Sequence, residues 1–157
     1  MNASLIYNCA FFGHKSINNR TEIELKVKKL IIDLIINKGV KLFYFGGLGE
    51  FDDLCFSIVN ELKSNNSNLK TAFCYSDDNE LLRLKRQHLS LNKQYDNYVY
   101  FPLKYNYWYY RILYRNYEII NASDYIIFYV EEDRQGGALS ALNYAKKLKK
   151  QIYNVLN

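Results

Sequence analysis

The chain has 157 residues, 49% of them apolar, and a formal net charge of +5. That length is enough to bury one proper core and too short for two ordinary domains, so residues 1–157 are read as a single domain. No run approaches the ~18 apolar residues of a membrane span, and the start, MNASLIYNCAFFGHKS, lacks the basic flank and cleavage site of a secretory leader, so the expectation is a cytoplasmic protein with no membrane partner.

The first element is SLIYNCAFF (4–12), a mostly apolar run of β-forming residues that ends at Gly13-His14 and reads as a buried strand opening into a loop. A helix follows, its stripe being Ile23, Val27, Leu30, Ile31, Leu34 and Ile35, with Thr21 and Glu24 as a capping box and Gly39 as its end. KLFYF (41–45) is a second short strand and runs directly into Gly46-Gly47-Leu48-Gly49. The next helix carries Phe51, Leu54, Cys55, Ile58, Val59 and Leu62 on one face and closes at SNNSN (64–68), after which LKTAFCY (69–75) is a third strand.

A charged stretch with a short helix at 79–88 leads to an edge segment, YVYFP (98–102). Residues 106–121 read as a helix that is apolar nearly all round, which calls for burial on two sides or a subunit contact. YIIFYV (125–130) is the cleanest strand of the chain. The loop EEDRQGG then opens a helix with Ala138, Ala141, Leu142, Ala145 and Leu148 on one face, and QIYNVL (151–156) is the last strand. The alternation predicts an α/β fold: a Rossmann-like three-layer α/β/α domain around a mostly parallel twisted sheet of five to six strands.

Several function classes lose ground on composition. Cys9, Cys55 and Cys74 form no CxxC pair and fall in strand, helix and strand interiors, so they read as buried reduced thiols. With only His14 and His88 beside them, no metal site is expected, and no cofactor is implied. The basic clusters Lys26/Lys28/Lys29, Arg83/Lys85/Arg86 and Lys146/Lys147/Lys149/Lys150 are short. Two lie on solvent faces or last turns of helices, where cations favour the helix dipole without a partner, so nucleic acid ranks low.

In open parallel sheets, ligands sit beyond the carboxyl ends of the strands, where loops enter helix N-termini. Here those loops hold Gly13, His14, Lys15 and Ser16 after the first strand, Gly46, Gly47, Gly49 and the acids Glu50, Asp52 and Asp53 after the second, and Glu131 to Gly137 after YIIFYV. The two glycine-rich turns are candidate anion cradles. In the earlier one, Glu50, Asp52 and Asp53 would compete with a phosphate for the same amides. The phosphate is therefore assigned to Gly136-Gly137-Ala138 and Ser140, and a sugar or base hydroxyl to Asp52. Asp53 reads equally well as compensation of the helix dipole. Arg111 and Arg115 share a helix face; Arg111 reads as an ion pair or packing residue, while Arg115 has Glu118 within reach. His14 reads as a ligand donor or as a structural histidine.

The pieces CAFFGHKSI (9–17), FYFGGLGEFDDLC (43–55), RNYEIINASDYIIFYV (115–130) and GGALSALNYAKKLKKQI (136–152) together resemble the SLOG superfamily, which joins the LOG phosphoribohydrolases with the Smf/DprA DNA-processing proteins; the closest likeness is to its YpsA-like branch. The resemblance implies a Rossmann-like fold that binds nucleotides or their derivatives at the glycine-rich edge, with Arg115 toward phosphate. The LOG motif PGGxGTxxE would fall on Gly136 to Asn143, where its proline, third glycine and catalytic glutamate are absent. The glutamate of the related deoxyribosyltransferases would fall on Ala141. A carboxylate beside the ribose is needed to stabilise a cationic sugar, and Asp52 or Glu50 would have to supply it.

The leading expectation is thus a protein that senses or sequesters a nucleotide-derived small molecule. An N-glycosidase acting on a nucleoside 5′-monophosphate, with Asp52 or Glu50 catalytic, comes second. Single-stranded nucleic-acid binding through the aromatic run Tyr105 to Tyr117 comes third. Tyr107, Trp108, Tyr110 and Tyr114 are more aromatic surface than one helix face buries, which predicts a homodimer or larger assembly.

Overall fold

The computed structural model describes residues 6–103 and 110–157. Strands and helices alternate as the pattern of apolar runs dictates: β1 (Tyr7–Gly13), α1 (Arg20–Lys38), β2 (Val40–Phe45), α2 (Glu50–Lys63), β3 (Lys70–Tyr75), a 3-10 turn (Asp78–Glu80), α3 (Leu81–Ser90), β4 (Asn97–Tyr100), α4 (Arg111–Ala122), β5 (Tyr125–Tyr129), α5 (Gly137–Lys147) and β6 (Gln151–Asn154). Every strand pairing is parallel, in the order β4-β3-β2-β1-β5-β6. Parallel neighbours cannot be joined by tight hairpins, which is why helices or long connections separate them.

The period of two along each central strand sends side chains to opposite faces, and both faces are covered. Cys9 and Phe11 of β1, Phe43 and Phe45 of β2, Phe73 of β3 and Ile127 and Tyr129 of β5 pack with the apolar stripes of α1, α2 and α3. Ala10, Phe12, Cys74, Ile126 and Phe128 point the other way, onto Ile119 and Ile120 of α4 and Ala141, Leu142 and Ala145 of α5. The result is a three-layer α/β/α sandwich of Rossmann-like type. Each fully buried Phe or Ile contributes about 1.5–3 kcal/mol relative to exposure. The three cysteines are buried and unpaired.

Two local expectations need correction. Thr21 does not cap α1: the cap lies two residues earlier, at Asn19, which stands in the left-handed region (φ 55) with its carbonyl accepting from the Ile23 amide, and the helix starts at Arg20. Asn tolerates that conformation better than most side chains, and the shift puts Thr21 inside the first turn. Gly39 does end the helix, at φ 72, with its amide donating to the Leu34 carbonyl. The helix read at 106–121 is described from Arg111 onward, and it buries one face only; Arg115, Ile119 and Ile120 are buried while Tyr110 and Ile112 are half exposed. Residues 104–109, with Tyr105, Tyr107 and Trp108 among them, lie outside the described residues, as do 1–5.

The topology fixes where a ligand can go. From β1 the chain steps outward through β2 and β3 to β4, then returns to lay β5 on the other flank of β1. The loops leaving β1 and β5 therefore diverge in opposite directions, and a crevice opens beyond their carboxyl ends.

Candidate functional site

At the end of β1, Gly13 is a glycine for a packing reason. A Cβ there would stand 2.6–2.8 Å from three Phe51 side-chain atoms. Phe51, in the first turn of α2, is fully buried and stacks on Tyr129 with ring centroids 5.6 Å apart, so it wedges the start of α2 under the β1–β5 seam. His14 continues that seam: its amide donates to the Tyr129 carbonyl (3.2 Å), and its Nε2 accepts from the Glu131 amide (2.9 Å). An Nε2 that accepts a backbone N–H carries no proton, so the neutral ring is protonated at Nδ1. Burial and the nearby Arg134 cation both lower the His14 pKa and favour that neutral form.

The turn after β2 is occupied by the protein's own carboxylate. Asp52 is 6% exposed and accepts from the Gly46 amide at Oδ1 (3.3 Å) and from the Gly47 amide at Oδ2 (3.1 Å). The expected competition for these amides is therefore won internally. Burial pushes Asp52 up to about 7, against the pull of the Gly46 amide and the cations of Lys93 and Arg115. Gly46 also makes room for Arg115, whose Nη2 would lie 2.6 Å from a Cβ at that position. Arg115, 9% exposed, donates from Nη1 to the Gly46 carbonyl and from Nη2 to Asn116 Oδ1 (3.3 Å each), while its buried Nε has no hydrogen-bond partner. Gly47 at φ 73 lies against Phe73, and Gly49 at φ 93 lies against the Lys15 backbone.

The turn before α5 is different. Gly136 (φ 146) and Gly137 have no atom within 4 Å of where a Cβ would stand, and no side chain caps the helix. Gly137 has neither a positive φ nor a crowding neighbour to account for it. Both face a cavity of about 360 Å³ whose wall includes Gly13, His14, Lys15, Gly46, Asp52, Arg115 and Ala138. The Gly46 and Gly136 turns thus open onto one space. Asp52 is the one carboxylate in its described wall, against three cations: Arg115, which is buried, and Lys15 and Arg134, which are exposed and carry no ion pair among the described residues. The balance favours an anion.

Four expected residues are not brought into this cavity. Glu50 accepts from the Ile17 amide (2.9 Å) and from Arg20 (3.0 Å), contacts that hold its carboxyl below the usual range and bind it to the β1–α1 loop. It stands outside the described wall. Ser140 turns back on its own helix and donates to the Gly136 carbonyl (3.1 Å). Gly47 lines a neighbouring cavity, and Gly49 shapes the turn without lining either. Asp53 pairs with Lys93 at the surface. Arg115 turns inward to Gly46 and makes no ion pair with Glu118, whereas Arg111 is ion-paired as expected, to Asp77 (2.8 Å) and Glu80 (3.5 Å). Arg134, Gln135, Asn116, Leu48 and Ile112 belong to the wall and were not foreseen. For Arg134 the signal was present: a cation two residues before a glycine pair that opens a helix.

No protein-family model and no curated protein matches the chain. Among the described residues no group of three or more His, Cys, Asp or Glu side chains is placed to hold a metal ion, and no helix is long and apolar enough to cross a membrane.

Proposed function

We propose that the chain binds a nucleotide or nucleotide-derived small molecule, with its phosphate over Gly136-Gly137 at the start of α5, as a sensor or sequestering protein. The observation that carries this reading is the pair of glycines with open space in front of them, facing Lys15, Arg115 and Arg134 across one cavity. A helix N-terminus presents unpaired amides and a partial positive charge, and three cations around it add Coulombic attraction in a partly desolvated space. Arg115 contributes a buried guanidinium to the cavity wall. The SLOG likeness of the sequence pieces supports the same reading. Calorimetry of the full chain against inorganic pyrophosphate and a panel of nucleotides, cyclic nucleotides and ADP-ribose tests it: micromolar binding of at least one member is expected, and a flat response across the panel refutes it.

One observation favours a second reading, cleavage of an N-glycosidic bond. Asp52 is a buried carboxyl in the cavity wall, poised near neutrality by burial. Both its oxygens already hold loop amides, however, and a carboxylate fixed in that way serves the turn before it serves a sugar. Free base released from nucleoside 5′-monophosphates, and lost in Asp52→Asn, would establish this second reading; binding without base release leaves the first.

A further inference from the structure

Beside the first cavity lies a second of about 350 Å³, over the carboxyl ends of β2 and β3 and against α3. The two share Gly46, Leu48, Ile112 and Arg115 as a common wall. Leu48 and Ile112 are about half exposed, at 48% and 51%, so the boundary is a rim and not sealed core. Their charges differ in kind. In the second cavity Arg111 is paired with Asp77 and Glu80, Arg83 with Glu80 (3.3 Å), and Lys93 with Asp53 outside the wall, so each of its cations except the shared Arg115 already has an acidic partner. Its floor is apolar and aromatic, with Phe73, Leu84 and Leu91.

One polar atom lining that space is unused. His88 is 6% exposed; its Nδ1 lies 2.9 Å from the Tyr98 hydroxyl, and its ring is packed edge-on to Phe73 at 4.4 Å between centroids. Its Nε2 has no hydrogen-bond partner among the described residues. The contact with Tyr98 fixes the ring orientation, so Nε2 offers one directed hydrogen bond to whatever enters. A cavity whose own cations are already ion-paired, with an apolar floor and a fixed polar contact, suits a neutral planar group better than a second phosphate.

Resting on the reading given under Proposed function, we propose that the second cavity takes the nucleobase of the same ligand, against Phe73 and Leu84 with His88 Nε2 on its polar edge, while the phosphates occupy the first cavity across Arg115. The ligand class is then a nucleoside 5′-phosphate lying along the sheet edge from β5 toward β3.

The test is calorimetric titration of the full chain with inorganic pyrophosphate and with ADP, GDP, CDP and UDP at one ionic strength. At least one nucleoside diphosphate is expected to bind roughly tenfold or more tighter than pyrophosphate. Two variants are expected to bring that diphosphate down to the pyrophosphate level while pyrophosphate itself binds as before. They are His88→Ala and Gln87→Trp, the latter on an exposed α3 position that lines the cavity and so independent of core packing. Equal binding of diphosphates and pyrophosphate, or variants that weaken both alike or neither, overturns the base assignment and leaves the phosphate site standing. No binding by any probe to the wild-type chain overturns both.

Discussion

Gly137→Ala separates a ligand glycine from a structural one. Position 137 opens α5, has no positive φ and has open space where a Cβ would stand. Replacing a glycine in a conformation that alanine adopts freely reduces the entropy of the unfolded chain and stabilises by about 0.4–1 kcal/mol. For a chain of this size that corresponds to a melting temperature higher by about 1–4 °C. The added methyl occupies the space that a phosphate needs to reach the helix amides, and losing a charge-assisted hydrogen bond of about 1.5–3 kcal/mol weakens binding roughly tenfold to a hundredfold. Gly46→Ala is the contrasting variant. Its Cβ would meet Arg115 Nη2 at 2.6 Å, and that guanidinium is tied to Gly46 and Asn116, so overpacking of about 1–3 kcal/mol lowers the melting temperature. Thermal unfolding and pyrophosphate calorimetry on both proteins measure the two quantities separately. A Gly137→Ala protein that binds pyrophosphate as the wild type does would refute the assignment of phosphate to this turn.

Asp52 gives a pH dependence with a definite sign. Its pKa in the fold, about 7, lies above the ordinary 3.8, so the folded state holds its proton where the unfolded state has lost it. Its contribution is fully present below about pH 4 and disappears as pH rises through 7, a loss of about 4 kcal/mol. His14 and His88, both lowered mainly by burial, act in the opposite sense. The informative measurement is therefore the difference between wild type and Asp52→Asn in urea unfolding at about pH 5 and about pH 8; a difference that does not change with pH would contradict the burial argument. Arg134→Ala removes an exposed cation and is expected to leave stability within about 0.5 kcal/mol while weakening pyrophosphate binding and flattening its salt dependence, read by calorimetry at two ionic strengths. The proposal of a homodimer or larger assembly is checked by light scattering, where a monomer would refute it.

The strand and helix order was legible because apolar runs and amphipathic stripes alternate cleanly. Phe43 and Phe45, or Ile127 and Tyr129, fall on the same face by the period of two alone. What the pattern does not carry is which way a polar side chain turns once an element is docked. Arg115 and Glu118 stand one turn apart and read as a pair, yet α4 packs with Arg115 aimed under the sheet edge, where Gly46 leaves room for it. Asp52 and Glu50 are near neighbours at a helix start, but one faces the Gly46 turn and the other the β1–α1 loop. Their separation depends on how Phe51, between them, wedges into the β1–β5 seam. The convergence of the Gly46 and Gly136 turns followed from topology, since both lie at carboxyl ends of parallel strands; Arg134 is marked only by its place two residues before Gly136-Gly137, because a loop cation has no periodicity.

The hydrogen bond from the Glu131 amide to His14 spans 117 positions of the chain. A polypeptide cut after β4 would keep the Gly46 turn, Asp52 and Lys15 and have nothing opposite them. Arg115 comes with α4, and Gly136, Gly137 and Arg134 come with the loop that follows β5. The cavity is thus completed by the last third of the molecule, and anything that fits it recognises only finished chains, so added ligand should protect the intact protein from proteolysis while leaving fragments that end before β5 as vulnerable as before.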